Sequence, residues 1–491
     1  MIPPFLALFS FPLVAIALFS WLSRRHAIVW TLLLGYLFLP ATINWNLPLL
    51  PPISKETVSP VSILLCLLIF RSKAAMTQES AGLKGWLPGN KLIRTLFFSS
   101  FAGVFLTIFT NRDPQRFGDL ILPAQRPYDA FSAMLTTLVL LLPMLIARKY
   151  LSSEDSHRLI LKALALAGLI YSLPIMYELI MSPQVSNQVY GFFPHSWGQH
   201  IRNGGYRPVV FLEHGLWLGT FMCCTVLAAL AYARNPEIGA RKYILIGGWL
   251  FVILMLSNTL GAFAIALLIA PLIFLLSGRL HLIGAAIVAG CVLTYPMLRG
   301  AHLIPVDQAV EVAASISEKR AGSLQHRFNN EDQLLERANL RPLFGWGGWS
   351  RARIFNEEGQ DISTTDGLWI IQIGKWGWVG YVALFGLLCG PVLIFAARAR
   401  KLDIGPGTIG LCIVLAANLV DLIPNASMSL ITWMIGGALI GRLEYQHAKQ
   451  SEETRTPAIP EPAQSRYSRF PPKPTLSRPG RGIRTSSKHA I

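Results

Sequence analysis

The chain has 491 residues, of which 53% are hydrophobic, and its mean hydropathy is +0.46. A soluble protein of this length needs far more polar surface, so the composition excludes a soluble globular fold. The formal net charge of +17 does not indicate nucleic acid as a partner, because the basic residues gather in short loops and in the tail after Arg442.

Apolar runs close to the length of a bilayer crossing recur from Met1 to Arg442. Because lipid offers no partners for free backbone N–H and C=O groups, such runs must be helical. The first run lacks a basic region and a small-residue cleavage site, so we expect a retained span rather than a signal peptide. The sequence predicts an all-α polytopic membrane protein with about 12–13 transmembrane helices, at 3–22, 27–43, 58–70, 93–110, 131–147, 159–181, 209–232, 243–258, 260–277, 280–298, 367–396, 405–423 and 427–441.

Basic residues between these runs fix the predicted orientation. Lys and Arg cluster in alternate loops, which follow the first, third, fifth, seventh, ninth and eleventh runs. The positive-inside rule makes this face and the C-terminus cytoplasmic. The opposite, extracytoplasmic face then holds the segments 44–57, 111–130, 182–207, 257–261 and 299–366.

The longest of these segments, 299–366, is predicted to be a structured lid. It reads as two helical pieces with a break near Gly322, and a Pro/Gly stop follows the second piece. The composition changes again after Arg442, where 443–491 is rich in Pro, Ser and Arg and poor in aliphatic residues. We therefore predict a bundle over 1–442 and a disordered, basic cytoplasmic tail that contacts anionic lipid or is simply solvated.

The stretch "NGGYRPVVFLEHG" (203–215) places ionisable groups at the predicted outer mouth of the 209–232 helix. Arg207 lies at the mouth, with Glu213 and His214 about one and a half turns deeper. Charges at this depth are costly in lipid and by default mark a functional site. The alternative is an interfacial arginine with a Glu–Arg pair that only joins helices.

The lid sequence "QHRFNNEDQLLERANLRPLFGWGG" carries three arginines. On a helix, Arg337 and Arg341 share a face, and together with Arg327 they offer planar donors that match pyrophosphate oxygens. The alternative is salt bridging within the lid to the acidic residues that lie close in sequence, Glu331, Asp332 and Glu336.

Asp366 stands at the start of the 367–396 helix, where a carboxylate acts as a general base or as an N-cap. Thr364 or Thr365 could also be the N-cap.

The polar stretch "LSNTLGA" (256–262) is predicted to be a turn. No phosphate-binding glycine loop and no Cys/His metal spacing occurs, and all six cysteines lie in apolar runs as small hydrophobes. We expect no metal site.

Five stretches between 170 and 381 resemble, in order and spacing, the O-antigen ligase and Wzy-type polysaccharide polymerase superfamily. They are "YELIMSPQVSNQVYGFFPHS", "GGYRPVVFLEHG", "LSNTLGA", "HRFNNEDQLLERANLRPLFGWGGW" and "DGLWIIQIGKWGWVGY". The chain departs from the family pattern in several places. The usual Arg of the Ser-rich turn is absent, the family's His and Asn positions fall on Asp366 and Gly367, and its acidic position falls on Lys375.

The resemblance implies a GT-C-like membrane bundle that works without a metal or other cofactor. Such an enzyme transfers sugar from a polyprenyl-pyrophosphate-linked oligosaccharide to an acceptor glycan, with inversion at the anomeric carbon. Arg207 and Arg327, with Arg337 and Arg341 as further candidates, are then expected to bind the pyrophosphate. Family position makes Asp366 the base, whereas local chemistry leaves Glu213 and His214 as alternatives.

The activity implied is polymerisation of exopolysaccharide or O-antigen repeat units at the outer face of the bacterial inner membrane. The expected partners are the lipid-linked donor, the acceptor glycan, membrane lipid and a chain-length regulator or other assembly protein. Two alternatives stay open. A ligase uses the same donor but moves the glycan onto lipid A-core or protein, and a flippase or transporter of lipid-linked sugar performs no chemistry.

Overall fold

The structure is a computed structural model that describes residues 1–70, 82–202, 204–235 and 239–455. It confirms an all-α polytopic membrane protein, since every predicted run falls on a helix. By length and composition, seven of the described helices are long and apolar enough to cross a membrane. The helices are α1 Pro4–Trp21, α2 Arg24–Phe38, α3 Lys55–Ile69, α4 Lys91–Phe109, α5 Pro127–Tyr150, α6 Glu154–Met181, α7 Val185–Tyr190, α8 Gly215–Ala233, α9 Ala240–Leu256, α10 Leu260–Leu275, α11 Gly278–Gly300, α12 Val306–Ile316, α13 Glu318–Asn339, α14 Leu368–Ala397, α15 Pro406–Asp421 and α16 Leu430–Arg455.

Two short antiparallel hairpins lie between the helices. Strand β1 (Gln115–Phe117) pairs with β2 (Leu120–Leu122), and β3 (Ile201–Arg202) pairs with β4 (Gly205–Tyr206). Both hairpins belong to segments predicted for the same face of the membrane. We call that face, with the segments 39–54, 110–126, 182–214, 257–259, 301–367 and 422–429, the lid end.

The opposite end of the bundle is held by polar contacts between short loops and helix termini. Arg148 on α5 is 2% exposed and pairs with Glu444 on α16 at 2.5 Å. Glu154, in the first turn of α6, accepts hydrogen bonds from the amides of Gly407 and Thr408 at the start of α15. Polar contacts between helix termini therefore join α5 to α16 and α6 to α15 at this end of the bundle.

Helix α8 is the most buried of the seven candidate spans and packs against α6, α9, α10 and α15. It begins at Gly215, so the prediction that this helix starts at 209 was wrong. The preceding residues form a buried, irregular segment in which Val210 has a φ of 56°. Glu213 and His214 therefore precede the helix and do not lie deeper within it.

Side chains from other helices satisfy the backbone of this irregular segment. The Glu178 carboxylate on α6 accepts from the amides of Val209 and Val210 at 2.7 and 2.8 Å. Lys55 Nζ donates to the Phe211 carbonyl at 3.1 Å, and the Phe211 amide donates to the Tyr171 hydroxyl. Non-helical backbone inside a membrane bundle needs such partners, and the local sequence does not reveal them.

The lid, 299–366, contains the helices α12 and α13, and the break between them falls at Ser317 rather than near Gly322, which lies inside α13. After α13 the chain docks on a kink in α14 at Gly377, whose φ is 63°. There the amide of Trp346 donates to Gly374 O at 2.9 Å, and the amide of Trp378 donates to Pro342 O at 2.8 Å. The glycine-rich end of the lid is thus joined to α14 backbone to backbone.

The C-terminal boundary differs from the prediction, because α16 continues past Arg442 to Arg455. The disorder predicted for the rest of the tail concerns 456–491, which lie outside the described residues. The residues from Ala448 onward form a unit separate from the bundle Met1–His447.

Candidate functional site

Arg327 on α13 and Asp366, just before α14, form an ion pair at the lid end. Arg327 Nε lies 3.2 Å from Asp366 Oδ2, and the side chains are 33% and 37% exposed. Arg327 Nη1 also donates to the Pro424 carbonyl at 3.3 Å. The N-cap of α14 is Gly367, so the capping alternative for Asp366 was wrong. The structure thus brings together the predicted anion-binding arginine and the predicted base, both reachable from solvent.

Glu331 lies one helical turn after Arg327, on the same face of α13. Its side chain is 12% exposed, and its Oε2 is 3.7 Å from Nε of Arg299, which is itself 3% exposed. Arg299 Nη2 binds Asp332 more closely, at 2.7 Å. Burial raises the pKa of Glu331 to about 7, against the opposing effect of the Arg299 and Arg327 guanidiniums. A carboxyl with this pKa is suited to proton transfer near neutral pH.

A buried carboxylate, Asp421 at the end of α15, lies close enough to Arg327 for electrostatic interaction. It accepts from the Thr220 hydroxyl on α8 at 2.6 Å, from Asn425 Nδ2 at 2.9 Å and from the Ser427 hydroxyl. Two small cavities share Thr220 and Asn418 in their walls, and one of them also touches Asp421. Polar groups therefore continue from the lid end into the bundle.

Arg207 lies beside the first residue of α8, Gly215. Its Nε and Nη2 donate to the Asn258 carbonyl at 3.2 and 3.0 Å, and Asn258 Nδ2 donates to the Tyr206 carbonyl. Asn258 belongs to the predicted 256–262 turn, which the structure confirms between α9 and α10. The Arg207 side chain also packs on Gly215, where a Cβ would meet its Cδ at 2.3 Å. Arg207 and Asp421 thus both contact the first two turns of α8, at Gly215 and at Thr220.

Glu213 and His214 lie beside this region without touching the Arg327–Asp366 pair in any recorded contact among the described residues. Desolvation raises the pKa of Glu213, the Glu56 carboxylate adds to the effect, and Lys55 opposes it. His214 caps α8, with its Nδ1 accepting from the Leu216 amide at 3.0 Å. Its ring also lies close to the rings of His195 and His200.

Arg337 and Arg341 share a helix face, as predicted, but they serve the lid's own structure. Both guanidiniums lie over the Trp346 ring, 4.3 and 4.5 Å from its centre. Arg337 donates to Arg351 O and Gln115 Oε1. Arg341 donates to Thr110 O and Asn111 Oδ1 and pairs with Asp113 at 3.0 Å. Their partners lie on the 110–126 segment and the lid, and differ from the partners of Arg327.

Three important residues were missed by the sequence analysis. The sequence indicates Glu331 only as a salt-bridge partner, although its spacing of four from Arg327 places both on one face. Asp421 and Glu178 stand inside predicted apolar runs, where an ionisable residue by default indicates a functional or structural role. That rule could have identified both carboxylates from the sequence.

No protein-family model matches the chain, and no curated protein matches it significantly. An activity must therefore be inferred from the chemistry of the residues around the lid end.

Proposed function

We propose that the protein is a membrane glycosyltransferase that extends a polyprenyl-pyrophosphate-linked oligosaccharide at its lid end. The partly exposed Arg327–Asp366 pair carries the proposal, with Glu331 one turn away. An arginine whose close carboxylate partner is reachable from solvent can exchange that partner for a phosphate oxygen. The bundle lies in the bacterial inner membrane, with the lid end outside and the C-terminus in the cytoplasm.

In this proposal two guanidiniums bind the donor pyrophosphate. Arg327 belongs to the lid, and Arg207 belongs to the segment before α8. Guanidiniums match phosphate oxygens in bidentate fashion and keep their charge at any physiological pH. Positive charge fixed beside the leaving group stabilises the negative charge that develops there, so the reaction needs no divalent cation.

The acceptor hydroxyl attacks the anomeric carbon as the carbon–oxygen bond to the pyrophosphate breaks. Glu331 takes the hydroxyl proton, because its pKa of about 7 leaves much of it ionised near neutral pH. The products are a lengthened glycan and a free polyprenyl pyrophosphate held by the arginines. Asp366 orients Arg327 before the donor binds, and it is the alternative base once the pyrophosphate displaces it. Glu213 and His214 stay as further alternatives.

The decisive experiment uses the full chain, purified and reconstituted into liposomes with a synthetic polyprenyl-pyrophosphate oligosaccharide. We expect longer lipid-linked glycans without any other protein, and we expect Arg327→Ala to abolish extension while it still inserts into the membrane. Normal extension by Arg327→Ala would contradict the assignment of the site.

The same assay separates the other activities. Transfer only to an added lipid A-core or protein acceptor identifies a ligase with the same donor site. Movement of the lipid-linked sugar across the bilayer without any new glycosidic bond identifies a transporter and overturns the proposal.

A further inference from the structure

Three histidines outside the Arg327–Asp366 pair come together at the lid end. His200 ends a short 3-10 helix (Trp197–His200), His195 precedes that helix, and His214 caps α8. The ring of His214 is 4.6 Å from that of His195 and 4.9 Å from that of His200, centre to centre. One ring nitrogen from each lies within 4.8 Å of the other two. We propose that these three imidazoles bind one divalent transition-metal ion of the zinc class.

The chemistry of the donor set selects the metal. Three imidazoles suit zinc, copper, nickel and cobalt, whereas magnesium and calcium prefer oxygen. Three protein ligands around zinc leave a fourth position for water. Glu213 is close enough to His195 for electrostatic interaction, and its carboxylate stabilises a cation there.

The distances require only a small closure of the segment. In a tetrahedral site with zinc–nitrogen bonds of about 2.0–2.1 Å, the ligand nitrogens are about 3.3 Å apart. His195 is exposed and lies outside regular secondary structure, whereas His200 is buried and His214 is fixed at the start of α8. Rotation of His195 shortens its distances to the other two rings, and the His214 ring must also turn toward His200.

Binding also has a consequence for the cap of α8. A neutral imidazole has one acceptor nitrogen, and in His214 that nitrogen receives the Leu216 amide. Whichever nitrogen binds the ion, the Leu216 amide loses this acceptor. Metal binding and the cap are thus mutually exclusive at His214, and the exchange of the Leu216 amide reports which of the two is present.

The ion also fixes the segment that carries Arg207. The Arg207 amide donates to the His200 carbonyl at 2.8 Å, next to the β3–β4 hairpin. An ion bound to His200 and His214 therefore ties this hairpin to α8 and holds Arg207 beside Gly215. This positioning role rests on the proposed function, whereas metal binding itself does not.

The spacing of these residues along the chain explains why no metal site was predicted. His195, His200 and His214 follow no zinc-finger or helical i,i+4 pattern. Only the return of the chain through the β3–β4 hairpin and the irregular segment before α8 brings them together.

The test uses the full chain in nanodiscs, purified with an affinity tag free of histidine and stripped with a chelator. Co²⁺ is the probe, because its visible absorption reports tetrahedral nitrogen coordination. We expect one equivalent to bind, and His195→Ala, His200→Gln and His214→Asn each to weaken binding at least about tenfold. Asn at 214 keeps a helix cap. His302→Asn, at an exposed histidine of the lid end, is the matched control and should bind like the wild type.

Hydrogen–deuterium exchange gives a readout that does not depend on activity. Co²⁺ should slow exchange in the peptide 193–212 and speed it at Leu216. No saturable Co²⁺ binding by the wild type, or equal binding by His195→Ala, overturns the site. His195 is exposed, so its variant decides the matter even if His200→Gln fails to fold. Metal binding without glycan extension would support this site while it contradicts the proposed function.

Discussion

Helix α13 carries three arginines that look equivalent in sequence, and the fold uses them in two ways. Arg337 and Arg341 lie over Trp346 and donate to carbonyls and side chains of the lid and of the 110–126 segment. Among the described residues, Arg327 forms an ion pair with Asp366 and a long hydrogen bond to the Pro424 carbonyl, and both Arg327 and Asp366 are about one-third exposed. The difference teaches that the partners, rather than the residue type, separate a structural guanidinium from a ligand-binding one.

The largest effect is expected at Arg351, which extends the structural group. Arg351 is fully buried and donates to the carbonyls of Trp346, Asp113 and Pro123. Arg351→Met should lower the free energy of unfolding by about 3–5 kcal/mol, because buried acceptors lose their partner. Thermal denaturation in detergent measures the change. Arg353→Ala, at a neighbouring arginine whose side chain is 43% exposed, is the control. Equal stability of the two variants would contradict a structural role for Arg351.

Arg327→Ala should show the opposite pattern. We expect extension to slow on the order of 100-fold or more, about 2.7 kcal/mol in the barrier, because the leaving pyrophosphate loses a fixed positive charge. Its denaturation midpoint should stay close to that of the wild type, since the pair with Asp366 is partly exposed. If Arg327→Ala unfolds as readily as Arg351→Met, the distinction between ligand-binding and structural arginines is contradicted.

The pH dependence of extension tests Glu331. A base with a pKa of about 7 is mostly protonated below that pH, so the rate should fall about tenfold per pH unit on the acid side and level off above it. Glu331→Gln should be slow and lack this acid limb. Asp366→Asn should be slow as well but keep the limb. If the limb persists in Glu331→Gln and disappears in Asp366→Asn, the base is Asp366.

The same pKa affects stability with a defined sign. The usual glutamate pKa of 4.5 is raised to about 7 in the folded protein. Between these values the folded state keeps a proton that the unfolded state releases, so stability should fall as pH rises through this window. Denaturation curves of the wild type and of Glu331→Gln are compared at about pH 5 and about pH 7.5, near the two ends of this window. The wild type should be less stable at the higher pH, and Glu331→Gln should lack this pH dependence.

The smallest effect is expected for Arg341→Lys. Lysine keeps the charge but loses the forked contact with Asp113 and Asn111, and Asp113 is 52% exposed. We expect a loss of about 1 kcal/mol or less in stability and no change in extension. A large loss of extension in this variant would return Arg341 to the ligand-binding group.

Several features of the molecule followed from local patterns. The apolar runs predicted every one of the corresponding helices, because a bilayer-length apolar run has one stable backbone solution in lipid. The turn around Asn258 and the stop after α13 followed from Asn, Gly and Pro at those positions. The prediction that Arg337 and Arg341 share a face was correct for the same reason, the period of the helix.

Predictions that depended on distant partners were wrong or incomplete. The apolar stretch from Val209 to Leu212 was predicted to be helical, but Glu178, Lys55 and Tyr171 supply its backbone with other hydrogen-bond partners. The break in the lid was predicted near Gly322, but α13 runs through that residue.

The sequence by itself determined the all-α membrane class, the order of the helices along the chain and the segments in which ionisable residues cluster. These depend on hydropathy, length and helical period, which are properties of neighbouring residues. The tertiary structure alone decided that Arg327 meets Asp366, that Glu331 is buried beside Arg299, and that three histidines converge. Those pairings join residues far apart in the chain, and their energies depend on burial and on partners that local sequence does not contain.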